Sequence, residues 1–276
     1  MTLLRTDHLV LLLACILALY TTVSLATGES EAERLEYCNR PWPSLSLYVP
    51  VNIMEPKKIA QRFYNQFLRS FLLFWPLKLS KTHLIVIIDD EVKTNPYVHE
   101  VRLKLDGLSD RMPGGYEIVP TPVSEWYNGS GYDRQQMEMF YADRYSKSDY
   151  IGFVDSDAVF LTYVDREDLF EDGKPVVHGR AGVSQYQGGI LDLRMRGNAL
   201  FTKMKEPMAC MSYFPVIIKR EHLQEMRDYY AKVNGMTFEQ AFQKYFPRKH
   251  FSQFGVMCAY LFHFKREEYK WYYYCD

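Results

Sequence analysis

Two aspartates separated by one serine are the residues of this sequence whose types and spacing best suit chemistry. Asp155, Ser156 and Asp157 follow the apolar run 150–154, which predicts a strand buried on both faces. Ligands of parallel sheets bind beyond the carboxyl ends of the strands, where these side chains would lie. Two such carboxylates can share one Mn²⁺ or Mg²⁺ ion, which prefers oxygen ligands and takes others from substrate phosphates. The pattern therefore predicts a metal and diphosphate site, with a turn or a helix cap as the alternative.

The surrounding pattern predicts strands that alternate with helices. Apolar runs at 44–51, 83–88 and 150–154 indicate strands, and residues 117–119 indicate a further short one. Apolar residues at helical spacing predict helices over 56–74 and 133–145. Such alternation is typical of an α/β fold with a mostly parallel sheet flanked by helices. We expect one such domain over residues 37–276.

The first 36 residues predict a targeting segment followed by a short stem. Residues 1–28 contain a mostly apolar stretch after Arg5, which indicates a signal peptide or a signal anchor. Ser24 and Ala26 would permit cleavage, whereas a stretch of this length also reaches the lower limit of a membrane span. The acidic residues 29–36 resemble a stem. We expect retention as a type II membrane anchor, and cleavage with secretion is the alternative.

Two further features of the chain agree with an oxidising compartment. Asn128, Gly129 and Ser130 form an acceptor sequence for N-glycosylation. Four cysteines lie outside the apolar segment and permit two disulfides in three pairings, which the sequence leaves open: Cys38, Cys210, Cys258 and Cys275. The formal net charge of −1 argues against a nucleic-acid partner, which would require a basic surface.

The sequence around the paired aspartates resembles a known family of enzymes. The stretches Tyr-Asp-Arg-Gln-Gln at 132–136 and Ser-Asp-Tyr-Ile-Gly-Phe-Val-Asp-Ser-Asp at 148–157 are similar to nucleotide-sugar-dependent glycosyltransferases of the GT-A fold. They resemble in particular a branch with paired glutamines one helix ahead of its Asp-x-Asp. The resemblance implies transfer of a sugar from a nucleotide-sugar donor to a glycan, protein or lipid acceptor. It also implies a location in the lumen of the Golgi or the endoplasmic reticulum.

The resemblance assigns roles to single residues. Asp155 and Asp157 would hold Mn²⁺ or Mg²⁺ and through it serve catalysis, and His263 would join them at the metal. Glu221 and Gln253 are the further catalytic candidates that it implies. The residues expected to bind the nucleotide sugar are Val51, Asn52, Asp89, Arg134, Gln135, Gln136 and Ser156.

Two other functions remain open at this stage. A non-catalytic sugar-binding protein with the same fold is one, because Met139 and Gln253 stand where the branch carries a lysine and a glutamate. A phosphatase of the haloacid dehalogenase type is the other, since Asp155 and Asp157 also fit its nucleophile motif. Against the phosphatase, about 110 residues of α/β pattern precede a motif that normally opens its domain.

Overall fold

The fold is described from a computed structural model of the chain. The structure describes residues 40–52, 57, 59–89, 96–120, 127, 131–181, 190–210, 213–245 and 252–275. The chain forms two compact units, Met1–Pro41 and Trp42–Asp276, and the strands and helices named below belong to the second. The predicted targeting segment and stem, Asn128 and Cys38 lie outside the described residues.

A five-stranded sheet forms the centre of the second unit. Its order is β3-β2-β1-β4-β7, and only the pair of β4 and β7 is antiparallel. This arrangement confirms the predicted α/β class with a mostly parallel sheet. The two-residue strand β5 and strand β6 form a second sheet with the C-terminal strand β8, in the order β5-β6-β8. The strands are β1 (Leu45–Asn52), β2 (His83–Asp89), β3 (Tyr116–Pro120), β4 (Tyr150–Phe153), β5 (Phe170–Glu171), β6 (Lys174–Ala181), β7 (Val216–Lys219) and β8 (Lys270–Cys275).

Helices cover both faces of the central sheet. A π-helix, Ile59–Leu68, precedes the first α-helix, and short 3₁₀ turns occur at Ser109–Arg111, Met139–Arg144 and Arg266–Glu268. The α-helices are α1 (Arg69–Phe74), α2 (Leu77–Ser80), α3 (Pro96–Asp106), α4 (Gly131–Glu138), α5 (Arg166–Leu169), α6 (Ile190–Thr202), α7 (Arg220–Asn234), α8 (Phe238–Tyr245) and α9 (Gln253–Phe264).

Side chains of the two central strands alternate between two hydrophobic clusters. Tyr48 on β1 and Ile85 on β2 belong to the cluster that contains the apolar side chains of α7, α8 and α9. Leu47 and Val49 on β1 and Val86 on β2 belong to the other, with the π-helix and α3. Because both faces are buried, these strands show the continuous apolar runs that the sequence displays.

The predicted helices are present with a different local geometry. The apolar stripe of the predicted helix 56–74 is buried as expected, at Ile59, Phe63, Phe67 and Phe71. Within that segment, however, Ile59–Leu68 is a π-helix, and an α-helix follows at Arg69–Phe74. The predicted helix 133–145 is likewise α4 followed by a 3₁₀ turn.

One disulfide connects Cys210 to Cys258, which lie 48 residues apart in the chain. It joins the segment before β7 to the middle of α9. Cys275 is in β8. Within the described ranges, no helix is both long and apolar enough to cross a membrane.

Candidate active site

The paired aspartates lie directly beyond the carboxyl end of β4. The amide of Val154 donates a hydrogen bond to the carbonyl of Tyr48 on β1, which extends the sheet contact by one residue. The amide of Ala158 then donates to the carbonyl of Asp155 at 3.0 Å and closes a turn. The turn holds both carboxylates at the edge of the sheet where β1 and β2 also end. Sheet geometry thus places them where the sequence predicts a ligand site.

A cavity of about 310 Å³ opens at this edge. Seven residues that the sequence predicts to be functional line it: Val51, Gln135, Gln136, Asp155, Ser156, Asp157 and Gln253. They come from four separate parts of the chain, namely the end of β1, α4, the turn after β4 and the first residue of α9. The other lining residues were not predicted from the sequence to have a role, and they are Tyr48, Pro50, Arg62, Ile87, Gly131, Tyr132 and Glu138.

The two carboxylates differ in their surroundings. Burial, and next the negative charge of Asp157, raise the pKa of Asp155 to about 6. Asp157 is half exposed and lies 3.5 Å from the guanidinium of Arg62, which is equally exposed. Arg62 belongs to the π-helix, so this helix brings a positive charge to the mouth of the cavity.

The residues present fit a divalent cation. Asp155 and Asp157 offer only oxygen atoms, which are the ligands that Mn²⁺ and Mg²⁺ prefer. The raised pKa of Asp155 reports that its negative charge is poorly compensated within the protein. A cation held between the two carboxylates would supply that compensation. The side chains that would hold it are therefore Asp155 and Asp157.

Glu221 does not reach this cavity. Strand β7 runs antiparallel to β4, with Lys219 paired to Tyr150 at the amino end of β4. Glu221 follows β7 directly and so lies at the edge of the sheet opposite to Asp155. There it approaches His222, which in turn lies 3.4 Å from Glu268. The sequence could not show this, because the direction of β7 depends on its pairing partner.

His263 is also distant from the paired aspartates' cavity. It follows Gln253 by ten residues on α9, which corresponds to about 15 Å along a helix axis. Its ring Nε2 is 2.9 Å from the carbonyl oxygen of Lys205. Arg134 is buried and does not line the cavity. Asn52 and Asp89 pair in register at the carboxyl ends of β1 and β2, and their side chains lie outside the described part of the structure.

A buried polar network holds the start of α9, where Gln253 lies. Asn198 on α6 accepts a hydrogen bond from the amide of Ser252 at 2.9 Å and donates one to Glu206 at 2.8 Å. Both carboxylate oxygens of Glu206 lie within 3 Å of where a Cβ atom on Gly255 would be. Only glycine leaves room for this approach. The sequence gives no signal for the network, because its members are distant in the chain.

The buried carboxyl of Glu206 makes stability depend on pH. Burial raises its pKa to about 7, and the hydrogen bond from Asn198 offsets part of that effect. The unfolded chain loses this proton near pH 4.5, so the free energy of unfolding falls as pH rises from there to about 7. We expect Glu206→Gln, which removes the charge, to raise that free energy by about 1–2 kcal/mol at pH 8.

Urea unfolding at pH 5 and pH 8 measures this effect. The stabilisation by Glu206→Gln should be present at pH 8 and nearly absent at pH 5, where the folded protein already carries the proton. Equal effects at both pH values, or destabilisation at pH 8, would contradict a costly buried charge.

Among solved structures, the chain is similar to a mouse enzyme and to a bacterial one. Mouse xyloside xylosyltransferase 1 is 12% identical with a TM-score of 0.43, over 83% of this chain and 84% of that one. The glycosyltransferase GlyE of Streptococcus pneumoniae TIGR4 is 10% identical with a TM-score of 0.41, over 84% of this chain. The aligned region spans only 45% of the GlyE chain. No protein-family model and no curated protein matches the sequence.

Proposed function

We propose that this chain is a metal-dependent glycosyltransferase, which transfers a sugar from a nucleotide-sugar donor to a glycan, protein or lipid acceptor. The observation that carries the proposal is the cavity itself. Paired carboxylates at the carboxyl edge of a mostly parallel sheet and three glutamines line one cavity of about 310 Å³. Metal-binding oxygens and neutral hydrogen-bonding groups in one cavity suit a ligand with a charged diphosphate and an uncharged sugar.

The charges of the cavity suggest how such a donor would be oriented. Asp155 and Asp157 would hold Mn²⁺ or Mg²⁺, which when bound neutralises negative charge on a departing diphosphate. Arg62, 3.5 Å from Asp157, can turn from that carboxylate to a phosphate oxygen. Val51, at the end of β1, would contact the nucleoside. Gln135, Gln136 and Ser156 would bind the diphosphate and the sugar that follow the nucleoside.

Gln253 is the proposed contact on the sugar side of the donor. It is the first residue of α9, where the network of Asn198, Ser252 and Glu206 fixes its position. An amide can orient a sugar or an acceptor hydroxyl but does not remove a proton at neutral pH. We therefore propose a positioning role for Gln253. Glu221 and His263 have no part in this proposal, since the structure places both outside the cavity.

The proposed compartment is the lumen of the secretory pathway. A disulfide between Cys210 and Cys258 supports it, because such bonds persist in oxidising compartments. The acceptor sequence at Asn128 and the apolar segment within residues 1–28 agree with it. Whether that segment stays as a type II anchor or is cleaved is decided by sequencing the N-terminus of the mature protein.

A donor screen tests the proposed function. The purified protein is incubated with Mn²⁺ and a panel of nucleotide sugars, and release of nucleoside diphosphate is measured with and without a chelator. We expect release from at least one donor, and loss of that release in the chelator. Donor binding without release would favour the non-catalytic sugar-binding protein. Release of inorganic phosphate from phosphate monoesters would favour the phosphatase.

A further inference from the structure

Three buried polar atoms, on residues that form what we call the floor of the cavity, have no hydrogen-bond partner among the described residues. They are the hydroxyl of Tyr48, Oε1 of Gln136 and Oε1 of Gln253. The three residues are 0%, 3% and 2% exposed, and all of them line the cavity. A buried polar atom without a partner costs about 1–3 kcal/mol. Three such atoms on residues that line one cavity indicate that a ligand supplies their partners.

The chemistry of these atoms restricts the ligand. Two are amide carbonyl oxygens, which only accept hydrogen bonds, and the third is a hydroxyl, which can donate or accept. The amide nitrogen of Gln253 faces the sulfur of Met139 at 3.3 Å, which leaves the amide oxygen of Gln253 for the ligand. Burial raises the pKa of Tyr48 well above its usual value, so this hydroxyl stays neutral. A ligand must therefore bring hydroxyl groups that donate to the amide oxygens.

The same floor disfavours a negatively charged sugar. Glu138 also lines it, and its Oε1 accepts a hydrogen bond from the hydroxyl of Tyr145 at 2.6 Å. Among the described lining residues, Arg62 is the one with a guanidinium or ammonium group, and it lies at Asp157. A ligand carboxylate would meet the carboxylate of Glu138 and the two amide oxygens, none of which can donate a hydrogen bond to it.

Resting on the proposed function, we propose that the floor formed by Tyr48, Gln136 and Gln253 selects donors with a neutral, hydroxyl-bearing sugar and rejects donors with a uronic acid. The three atoms bind hydroxyl groups of the sugar, while the paired aspartates serve the diphosphate. Specificity for the uncharged sugar then comes from residues that contact neither the metal nor the nucleoside.

Titration calorimetry with matched ligands tests this selection on the full chain with Mn²⁺. The pairs are UDP-glucose with UDP-glucuronate and GDP-mannose with GDP-mannuronate, each of which differs only at the sixth carbon of the sugar. UDP and GDP report binding without a sugar. For the nucleotide that binds, we expect the neutral sugar to bind at least about tenfold more tightly than the uronate.

Tyr48→Phe isolates one of the three atoms, with Tyr127→Phe as a matched control. Tyr127 is also buried, and its hydroxyl has no hydrogen-bond partner in the described part of the chain, but Tyr127 does not line the cavity. Neither change should lower the thermal midpoint, because each removes a buried group without a partner. Tyr48→Phe should weaken binding of the neutral nucleotide sugar about three- to tenfold and leave the free nucleoside diphosphate unaffected. Tyr127→Phe should change neither affinity.

The possible outcomes separate this proposal from the proposed function. Equal or tighter binding of the uronate would overturn the selection and leave a nucleotide-sugar site in place. Equal losses for the sugar nucleotide and the free nucleotide in Tyr48→Phe would also overturn it, since the hydroxyl would then not face the sugar. Failure of every nucleotide and nucleotide sugar to bind would overturn both proposals together.

Discussion

Asp155→Asn and Asp157→Asn should each lower kcat/KM for donor turnover at least about 100-fold, the largest effect that we expect in this protein. An asparagine keeps the size of the side chain but loses the charge that would hold the cation. Asp155→Asn should also leave the fold intact, because burial already makes the ionised carboxylate unfavourable there. Initial rates of nucleoside diphosphate release at saturating Mn²⁺, with the thermal midpoint of each variant, measure both expectations.

Two control variants accompany this prediction. Asp149 is exposed and lies just before the amino end of β4. Asp149→Asn therefore changes the net charge by the same amount as Asp155→Asn or Asp157→Asn, but far from the cavity. Glu221→Gln tests another catalytic candidate, Glu221, which lies at the edge of the sheet opposite to Asp155. We expect both variants to retain turnover within about twofold of the unmodified chain. A large loss in Glu221→Gln, with turnover retained in Asp157→Asn, would place the chemistry elsewhere.

Loss of the disulfide between Cys210 and Cys258 should produce the largest effect on stability. The bond closes a loop of 48 residues, and a cross-link of this length stabilises a protein by about 3–4 kcal/mol, mainly by restricting the unfolded chain. The double variant Cys210→Ala and Cys258→Ala should therefore lose about that free energy of unfolding. Because α9 carries both Cys258 and Gln253, we expect some loss of turnover at low temperature as well. This fractional loss of turnover should be smaller than the fractional loss in the free energy of unfolding.

Denaturant unfolding with and without a reducing agent provides the control. Reduction should lower the stability of the unmodified chain towards that of the double variant and leave the double variant unchanged. A double variant as stable as the oxidised chain would show that the bond does not constrain the unfolded state. A further loss in the reduced double variant would assign the effect to another pair of cysteines.

The fold could be predicted largely because the central strands are buried on both faces. Their apolar runs at 44–51, 83–88 and 150–154 have few competing interpretations, and the observed strands start within one residue of them. The helix over 56–74 was located correctly, whereas its π-helical part was not foreseen. The spacing of Phe63, Phe67 and Phe71 fits the buried face in either geometry. The pairing of Cys210 with Cys258 was open in the sequence, because it depends on how α9 packs.

The candidate site was only partly predictable, since proximity in a sheet depends on strand direction. Residues at the carboxyl ends of parallel strands could be grouped in advance, as Val51 and Asp155 show. Glu221 could not, because β7 is the one antiparallel strand of the central sheet. Tyr48 was missed for another reason. Its position within an apolar strand indicates a core residue, and only the structure shows that Tyr48 also lines a cavity.

Paramagnetic resonance of Mn²⁺ tests the central claim most directly, because it needs neither an acceptor nor the correct sugar. Free Mn²⁺ gives a six-line signal that is lost on binding, so the signal reports the fraction of ion that remains free. With UDP or GDP present, we predict that the protein removes this signal and that a variant with both Asp155→Asn and Asp157→Asn does not. An unchanged signal with the unmodified protein, or equal binding by the double variant, would contradict a metal and diphosphate site at Asp155 and Asp157.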